Sequence, residues 1–512
     1  MLSQSVSARL LSIHRLISLL FCLLISWSLW TGVLAFYADF VRPWMMPALA
    51  EAAGRPLPTA AEALRAVAAR HAVGLDWTMM APTPLRDFFI FSGRFGEGAP
   101  LTNLMVNPAA DVMAPWNSVL TDSLFRRIHT DLLLPKPYGR FLMGVAGILI
   151  VLLVGTGLFI HGKVVVEAWS WRRRSRLIDL SDAHKRFGFW LIPYLFLMGL
   201  SGGILGLKVA SQPLDAVLQA GGSPQAARAL LSDDGDAPTA PGRSVTDVVP
   251  DGLSLCLDGF AERFPDSRIG RLQRQGDRLM VEGIPHGRLT WAGEGAGSLR
   301  AMCSLADGTI GTVRDSRDGG WGGVVESALR PLHYARFGGV GTALAYCLLG
   351  LLCLWTVDSG MKLLWLRAAK EERRPQDQLT LSRRLFNANN ALYLLLPLLL
   401  LADNLLSGAT HGGALFAASA SVVLLYLLPW LDRRRASLER VALPILALAY
   451  AGLPLLRLGL YPAAPWSGVA AVMVVDGTAL LIAVWLAAVA FRRQRQGSIL
   501  PERERADRRL SA

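Results

Sequence analysis

The chain has 512 residues, 52% of them hydrophobic and 18% charged, with a mean hydropathy of +0.37. That balance excludes a soluble protein of this size and indicates a polytopic membrane protein. The net charge of +13 does not point to nucleic acid, because Lys and Arg cluster beside apolar runs, where they orient membrane helices.

In chain order, eight apolar spans are expected, at roughly 15–37, 139–161, 186–207, 340–366, 387–406, 412–430, 440–460 and 467–490. The first run, Leu16 to Tyr37, is longer than a signal-peptide core. The following WTGVLAFYADF offers no small-residue cleavage site, so it reads as a retained helix. Basic residues fill the 162–185 loop and the 367–386 connection, and they follow spans six and eight. The short loops Ser407–His411 and Tyr461–Ser467 have none. The positive-inside rule then puts both termini in the cytoplasm.

The expected division is a first helix in 1–37, an extracytoplasmic module at 38–138, a helix at 139–161 and a basic cytoplasmic loop at 162–185. A helix at 186–207, a second module at 208–332 and a helix within 333–366 follow. Four further helices occupy 387–490, and 491–512 is a cytoplasmic tail. In the first module PTAAEALRAVAARHA reads as a helix and DFFIFSGRF as a strand. In the second, GLSLCLDGFAERFP reads as a helix, and alternating stretches from Arg268 to Leu305 read as paired strands. Gly221 to Arg243 reads as a loose linker. Cys256 and Cys303 fall in this module and could form a disulfide if it faces an oxidising compartment. Cys22, Cys347 and Cys353 lie inside spans as packing residues.

The histidines carry a repeat. His14 and His184 each open an apolar run with a glycine eighteen residues on, Gly32 and Gly202, which puts histidine and glycine on one helix face. His129 and His333 each precede the next span, which closes in Thr156-Gly157 or Ser359-Gly360. By the topology His14 and His184 face the cytoplasm and His129 and His333 face outward. His161 is a third cytoplasmic-side histidine and could replace His14 beside His184. Two imidazoles from facing helices can clamp a haem iron. Copper or zinc usually takes a third ligand such as Cys, Met or carboxylate.

Arg140 and Arg336 are placed for anionic propionates on the outer side, and Arg15, Lys185 and Arg186 on the inner side. Each also reads as an interface anchor, as do Trp27, Trp30, Trp190 and Tyr334. GGVGTALA at Gly338 opens a span and follows no strand, so it is not a nucleotide site. Asp403, Arg457 and Asp476 lie in or at the outer ends of late spans. They read first as a structural ion pair and second as a quinone or proton site. His71, His286 and His411 read as solvated surface residues.

The pieces HRLISLLFCLLISWSLWTG, RRIHTDLLLPKPYGRFLMGVAGILIVLLVGTG, IHGKVVVEAWSWRRRSRLIDLSDAHKRFG and LHYARFGGVGTALAYCLLGLLCLWTVDSG resemble the PepSY-associated transmembrane helix family, over about 1–370. The resemblance implies a mainly α membrane protein with a four-helix haem-binding core made of two repeats, PepSY-like outer α+β modules and four additional C-terminal helices. It implies two b-type haems on His14, His129, His184 and His333, and reduction of Fe(III) in an external siderophore or chelate. The electron donor would be cytoplasmic or a quinol. It also leaves room for a non-enzymatic sensory protein that binds a partner through its outer modules.

Overall fold

In a computed structural model, the residues described are 4–45, 55–83, 88–95, 101–107, 109, 112–113, 121–132, 134–160, 169, 176–219, 249–286, 299–315, 328–335, 337–368, 376–407, 423–460 and 470–498. The chain divides into two compact units, residues 1–39 with 51–370, and residues 40–50 with 371–512.

The membrane part of the first unit is built from α1 (Gln4–Met45), α4 (Lys136–Ile160), the bent pair α5 (Arg176–Trp190) and α6 (Ile192–Gln219), and α8 (Gly339–Ala368). Among the described residues, five helices are long and apolar enough to cross a membrane: Gln4–Ala38, Pro137–Ile160, Gly339–Arg367, Leu438–Gly459 and Val472–Arg492. The bent pair Leu177–Trp190 and Ile192–Leu207, counted as one span, makes a sixth.

The span expected at 186–207 is bent near its start, where helices Leu177–Trp190 and Ile192–Leu207 meet at 63°. Pro193 is the cause: it has no N–H to give, and its ring opposes the carbonyl of Phe189. The hydrogen bonds on either side survive, Leu191 N–H to Phe187 O at 2.9 Å and Leu195 N–H to Leu191 O at 2.8 Å. Of the remaining expected spans, 387–406 lies in a helix, whereas 412–430 begins outside the described residues.

Glycines let α4 and α6 meet backbone to backbone. A Cβ on Gly147 would sit 2.5 Å from the Gly203 nitrogen, and one on Gly206 would sit 2.6 Å from the Gly144 Cα. Small residues at such a crossing replace the hydrophobic drive that lipid removes with close van der Waals contact. Apolar side chains fill the bundle on either side, among them Ile25, Leu29, Leu149, Ile150, Leu191 and Cys353.

The rest of the first unit is an α+β domain. One half holds α2 (Ala60–Ala68), β1 (Val73–Met80), β2 (Phe89–Phe95), β3 (Leu101–Val106) and β4 (Val112–Met113). The other holds α7 (Gly252–Arg263), β5 (Ser267–Gln275), β6 (Arg278–Pro285), β7 (Leu299–Ser304) and β8 (Ile310–Asp315). The two halves form one eight-stranded antiparallel sheet in the order β4-β3-β2-β1-β5-β6-β7-β8. β1 joins β5 in the register Trp77 to Arg274 and Met79 to Leu272. A common core runs through both, from Leu64, Val67 and Phe91 to Phe260, Leu279 and Val281. Cys256 of α7 is disulfide-bonded to Cys303 of β7. The expected linker at 221–243 lies outside the described residues.

The second unit contains α9 (Gln376–Ser407), α10 (Pro429–Leu460) and α11 (Ala470–Ser498), together with the last turns of α1. Arg457 of α10 pairs with Asp476 of α11 at 3.1 Å, and Trp44 Nε1–H donates to the same carboxylate at 2.7 Å. All three side chains are buried. The side chain of Asp403 lies outside the described residues.

Candidate functional site

Four histidines of the first unit sit in four copies of one local arrangement. His14 of α1 faces α4, where its Nδ1 lies 3.0 Å from the Thr156 hydroxyl. His129 of α3 (Thr121–Asp131) faces α1, with Nδ1 3.2 Å from the Thr31 hydroxyl. His184 of α5 faces α8, with Nδ1 3.1 Å from the Ser359 hydroxyl and 2.9 Å from the Thr356 carbonyl. His333, in the helical turn at 328–334, faces α6, with Nδ1 2.8 Å from the Ser201 hydroxyl.

The next residue is glycine each time, and the imidazole lies over it. A Cβ would meet His Cε1 at 3.5 Å on Gly157, 3.3 Å on Gly32, 2.8 Å on Gly360 and 3.2 Å on Gly202. Gly32 and Gly202, eighteen residues on from His14 and His184, each seat a histidine from another element: Gly32 seats His129 and Gly202 seats His333.

The histidines line two cavities. One, of about 220 Å³, is lined by His14 and His184; the other, of about 190 Å³, by His129 and His333. Leu29 and Ile150 line both, so a thin apolar wall is shared between them. The first cavity also meets Arg15, Lys185 and Arg367, and the second meets Arg140 and Arg330. Among the described residues that line them there is no Asp or Glu, although Arg140 and Lys185 each have a carboxylate partner outside the lining, Asp131 and Asp182.

In the second cavity the His129 and His333 rings lie 6.2 Å apart between centres, with planes within 20° of parallel. Burial drives both toward the neutral form: His129 is pushed down to about 4 and His333 to about 3, the latter with a smaller contribution from the neighbouring His129. Neutral imidazole is the form that ligates a metal. Among the described residues no cluster of three or more His, Cys, Asp or Glu forms.

Both supports of this second pair end in a left-handed residue that is not glycine, Leu132 (φ 53°) after His129 and Ala335 (φ 55°) after His333. Such positions cost on the order of 1–2 kcal/mol and persist only where the surroundings impose them. Here the turn into α4 imposes one of them. Arg140 on α4 pairs with the buried Asp131 at 3.0 Å, and a Cβ on Gly139 would collide with the Asp131 carbonyl.

Of the other expected site residues, Arg15, Lys185 and Arg140 line the cavities and Arg186 does not. Lys185 also lies 4.0 Å from Asp182. His161 and Arg336 fall outside the described residues. Tyr334 lines the second cavity and packs edge-on to His333 at 5.4 Å between centres. Trp27 and Trp30 pack with their rings tilted by 41°, and Trp190 packs edge-on to Trp169; none of these lines a cavity. The sequence reading missed Thr31, Ser201, Arg330 and Arg367. The signal for the first two is a hydroxyl residue directly before glycine at four places, Thr31-Gly32, Thr156-Gly157, Ser201-Gly202 and Ser359-Gly360.

Fold and site together define a multi-pass membrane protein whose helical bundle holds two cavities, each lined by two histidines, and whose extramembrane part is an α+β sheet domain. The chain belongs to the family of the PepSY-associated TM region, whose model matches residues 11–368. It is also similar to a protein of Pseudomonas aeruginosa named "Uncharacterized protein PA4219", with 30% identity over 388 residues, 71% of this chain and 94% of that one. The family match spans all four histidines and stops where the first compact unit stops.

Proposed function

We propose that the protein is a dihaem inner-membrane oxidoreductase that carries electrons outward to reduce Fe(III) held by a siderophore or another chelate. The observation that carries the reading is the His129–His333 pair. The two rings come from separate elements, stand 6.2 Å apart between centres with planes within 20° of parallel, and face one cavity. Two imidazoles so placed would suit the iron of a haem.

The lining supports the same group. Propionates are anionic, and Arg140 with Arg330 in one cavity and Arg15, Lys185 and Arg367 in the other supply countercharge. The walls are otherwise largely apolar, as a macrocycle needs. When bound, haem supplies one-electron Fe(III)/Fe(II) chemistry. The chain holds it by His14 and His184 at one site and His129 and His333 at the other. Leu29 and Ile150 keep the two sites close and exclude water from between them. Because electron transfer needs no proton donor at the chelate, the outer residues need only admit and orient an anionic ferric complex, for which Arg140 and Arg330 have the right charge. The basic loops support a cytoplasmic side for the His14–His184 site, within reach of a soluble or quinol donor.

The test is the optical spectrum of the full chain purified from cells supplied with haem. Two low-spin haems per chain are expected, and His129→Ala or His333→Ala should remove one and spare the other. A protein without a Soret band would refute the proposal and favour a non-enzymatic sensory role for the sheet domain.

A further inference from the structure

The four hydroxyls that precede the glycines all have their own proton engaged. Thr31 donates to Trp27 O at 2.7 Å, Thr156 to Leu152 O at 2.7 Å, Ser201 to Leu197 O at 2.5 Å and Ser359 to Thr356 O at 2.8 Å. This is the back-bonding that Ser and Thr make inside helices. Each of these bonds is shorter than the same oxygen's contact to the histidine, which runs from 2.8 to 3.2 Å. A hydroxyl with one proton, already given to a carbonyl, can only accept from the imidazole. At His184 a second contact leads to the same conclusion, since Nδ1 lies 2.9 Å from the Thr356 carbonyl, which has no proton to offer.

We infer that Thr31, Thr156, Ser201 and Ser359 are positioning residues that hold all four imidazoles as the Nδ1–H tautomer, leaving each Nε2 as the lone-pair nitrogen for a metal. The inference rests on the haem reading and adds what that reading lacks, a reason for each ring's tautomer and rotation. The hydroxyl–glycine dipeptide does two jobs at once: glycine makes room for the ring, and the hydroxyl fixes which nitrogen points away from the helix. Partners of this kind orient metal-bound histidines elsewhere, and their removal typically costs 10–100-fold in metal affinity or activity.

The experiment uses the full chain loaded with haem. Thr31→Val keeps the shape and deletes the acceptor, and Thr31→Ser keeps the acceptor. Ser201→Ala and Ser201→Thr form the matching pair on α6, and Thr156→Val tests the other cavity independently. Readouts are the low-spin electron paramagnetic resonance signal of each centre and the rate of haem transfer to apomyoglobin. Thr31→Val and Ser201→Ala should speed haem loss from the His129–His333 centre by roughly 10–100-fold and leave the other centre unchanged. Thr156→Val should do the reverse. Thr31→Ser and Ser201→Thr should behave as wild type. Wild-type signals and retention in Thr31→Val, Ser201→Ala and Thr156→Val would overturn the inference while leaving the haem reading intact. Equal loss in the hydroxyl-keeping pair would also overturn it, since packing alone would then be responsible. Wild-type protein with no haem would instead overturn the functional reading itself.

Discussion

The four histidine-facing glycines differ in how much room they leave, and that difference sets a graded test. In Gly360→Ala the new methyl would sit 2.8 Å from His184 Cε1, well inside contact distance. The ring must retreat by about 0.6 Å to reach ordinary contact, yet two hydrogen bonds of 2.9 and 3.1 Å hold it. Overpacking of this kind costs about 1–3 kcal/mol, against a gain of about 1 kcal/mol from replacing glycine within a helix. The net expectation is a loss of up to about 2 kcal/mol. In Gly157→Ala the corresponding distance to His14 is 3.5 Å, ordinary contact, so the helix gain survives and the variant should be neutral or slightly more stable. Gly202→Ala and Gly32→Ala, at 3.2 and 3.3 Å, fall between. Thermal unfolding of the detergent-solubilised chain reads the order directly, at roughly 2–4 °C per kcal/mol for a unit of this size. A Gly157→Ala variant as damaged as Gly360→Ala would refute the idea that glycine is there to seat the ring.

Other substitutions test the frame around the cavities. Gly147→Ala would drive a methyl to 2.5 Å from the Gly203 backbone, so α4 and α6 must separate, and expression of folded protein should fall more than for any histidine-facing glycine. In the second unit, Asp476→Asn leaves Arg457 buried without its charge partner and should cost about 3–5 kcal/mol in unfolding, with much of it recovered by adding Arg457→Met. Replacing Cys256 and Cys303 by Ala should destabilise the sheet domain by about 4 kcal/mol, as expected from the separation of 47 residues, and limited proteolysis would show it. At the start of α2, the Thr59 backbone N–H and then its hydroxyl donate to Glu62 and hold its carboxyl below the ordinary 4.5. A carboxyl lowered on folding adds stability that is complete above the unfolded value and disappears as pH falls through the folded one. Acid unfolding of the sheet domain should therefore lose part of its pH dependence below about 4.5 in Glu62→Gln.

What the sequence made legible was chemistry with a short period. His14 and His184 with their glycines, and the Thr156-Gly157 and Ser359-Gly360 dipeptides, stand at matching points of two repeats and are visible without coordinates. Both helices of the sheet domain, Ala60–Ala68 and Gly252–Arg263, were legible too, whereas strands Val73–Met80, Leu101–Val106 and Ile310–Asp315 were not. Its unity was not, because the β1–β5 junction pairs Trp77 with Arg274, nearly two hundred residues apart, and no local pattern encodes that contact. The break at Leu191 was missed for a different reason. Pro193 was read as part of an apolar run, and hydropathy does not register a missing N–H.

The histidine and the glycine that share a helix serve different cavities. Eighteen residues between His14 and Gly32 do put both on one face of α1, but the helix runs from one cavity to the other over that distance. The face is shared because α1 supplies a ligand at one end and a seat at the other. His14 takes its seat from α4, while Gly32 gives one to His129; α5 and α6 do the same with His184 and Gly202 toward α8 and His333. Every membrane-crossing element of the bundle therefore has a part in both sites, or seats a ligand that does. A shift of α1 along its axis would disturb His14 at one cavity and the Thr31-Gly32 seat at the other. Thus the same contacts that hold the imidazoles also fix the distance between the two sites.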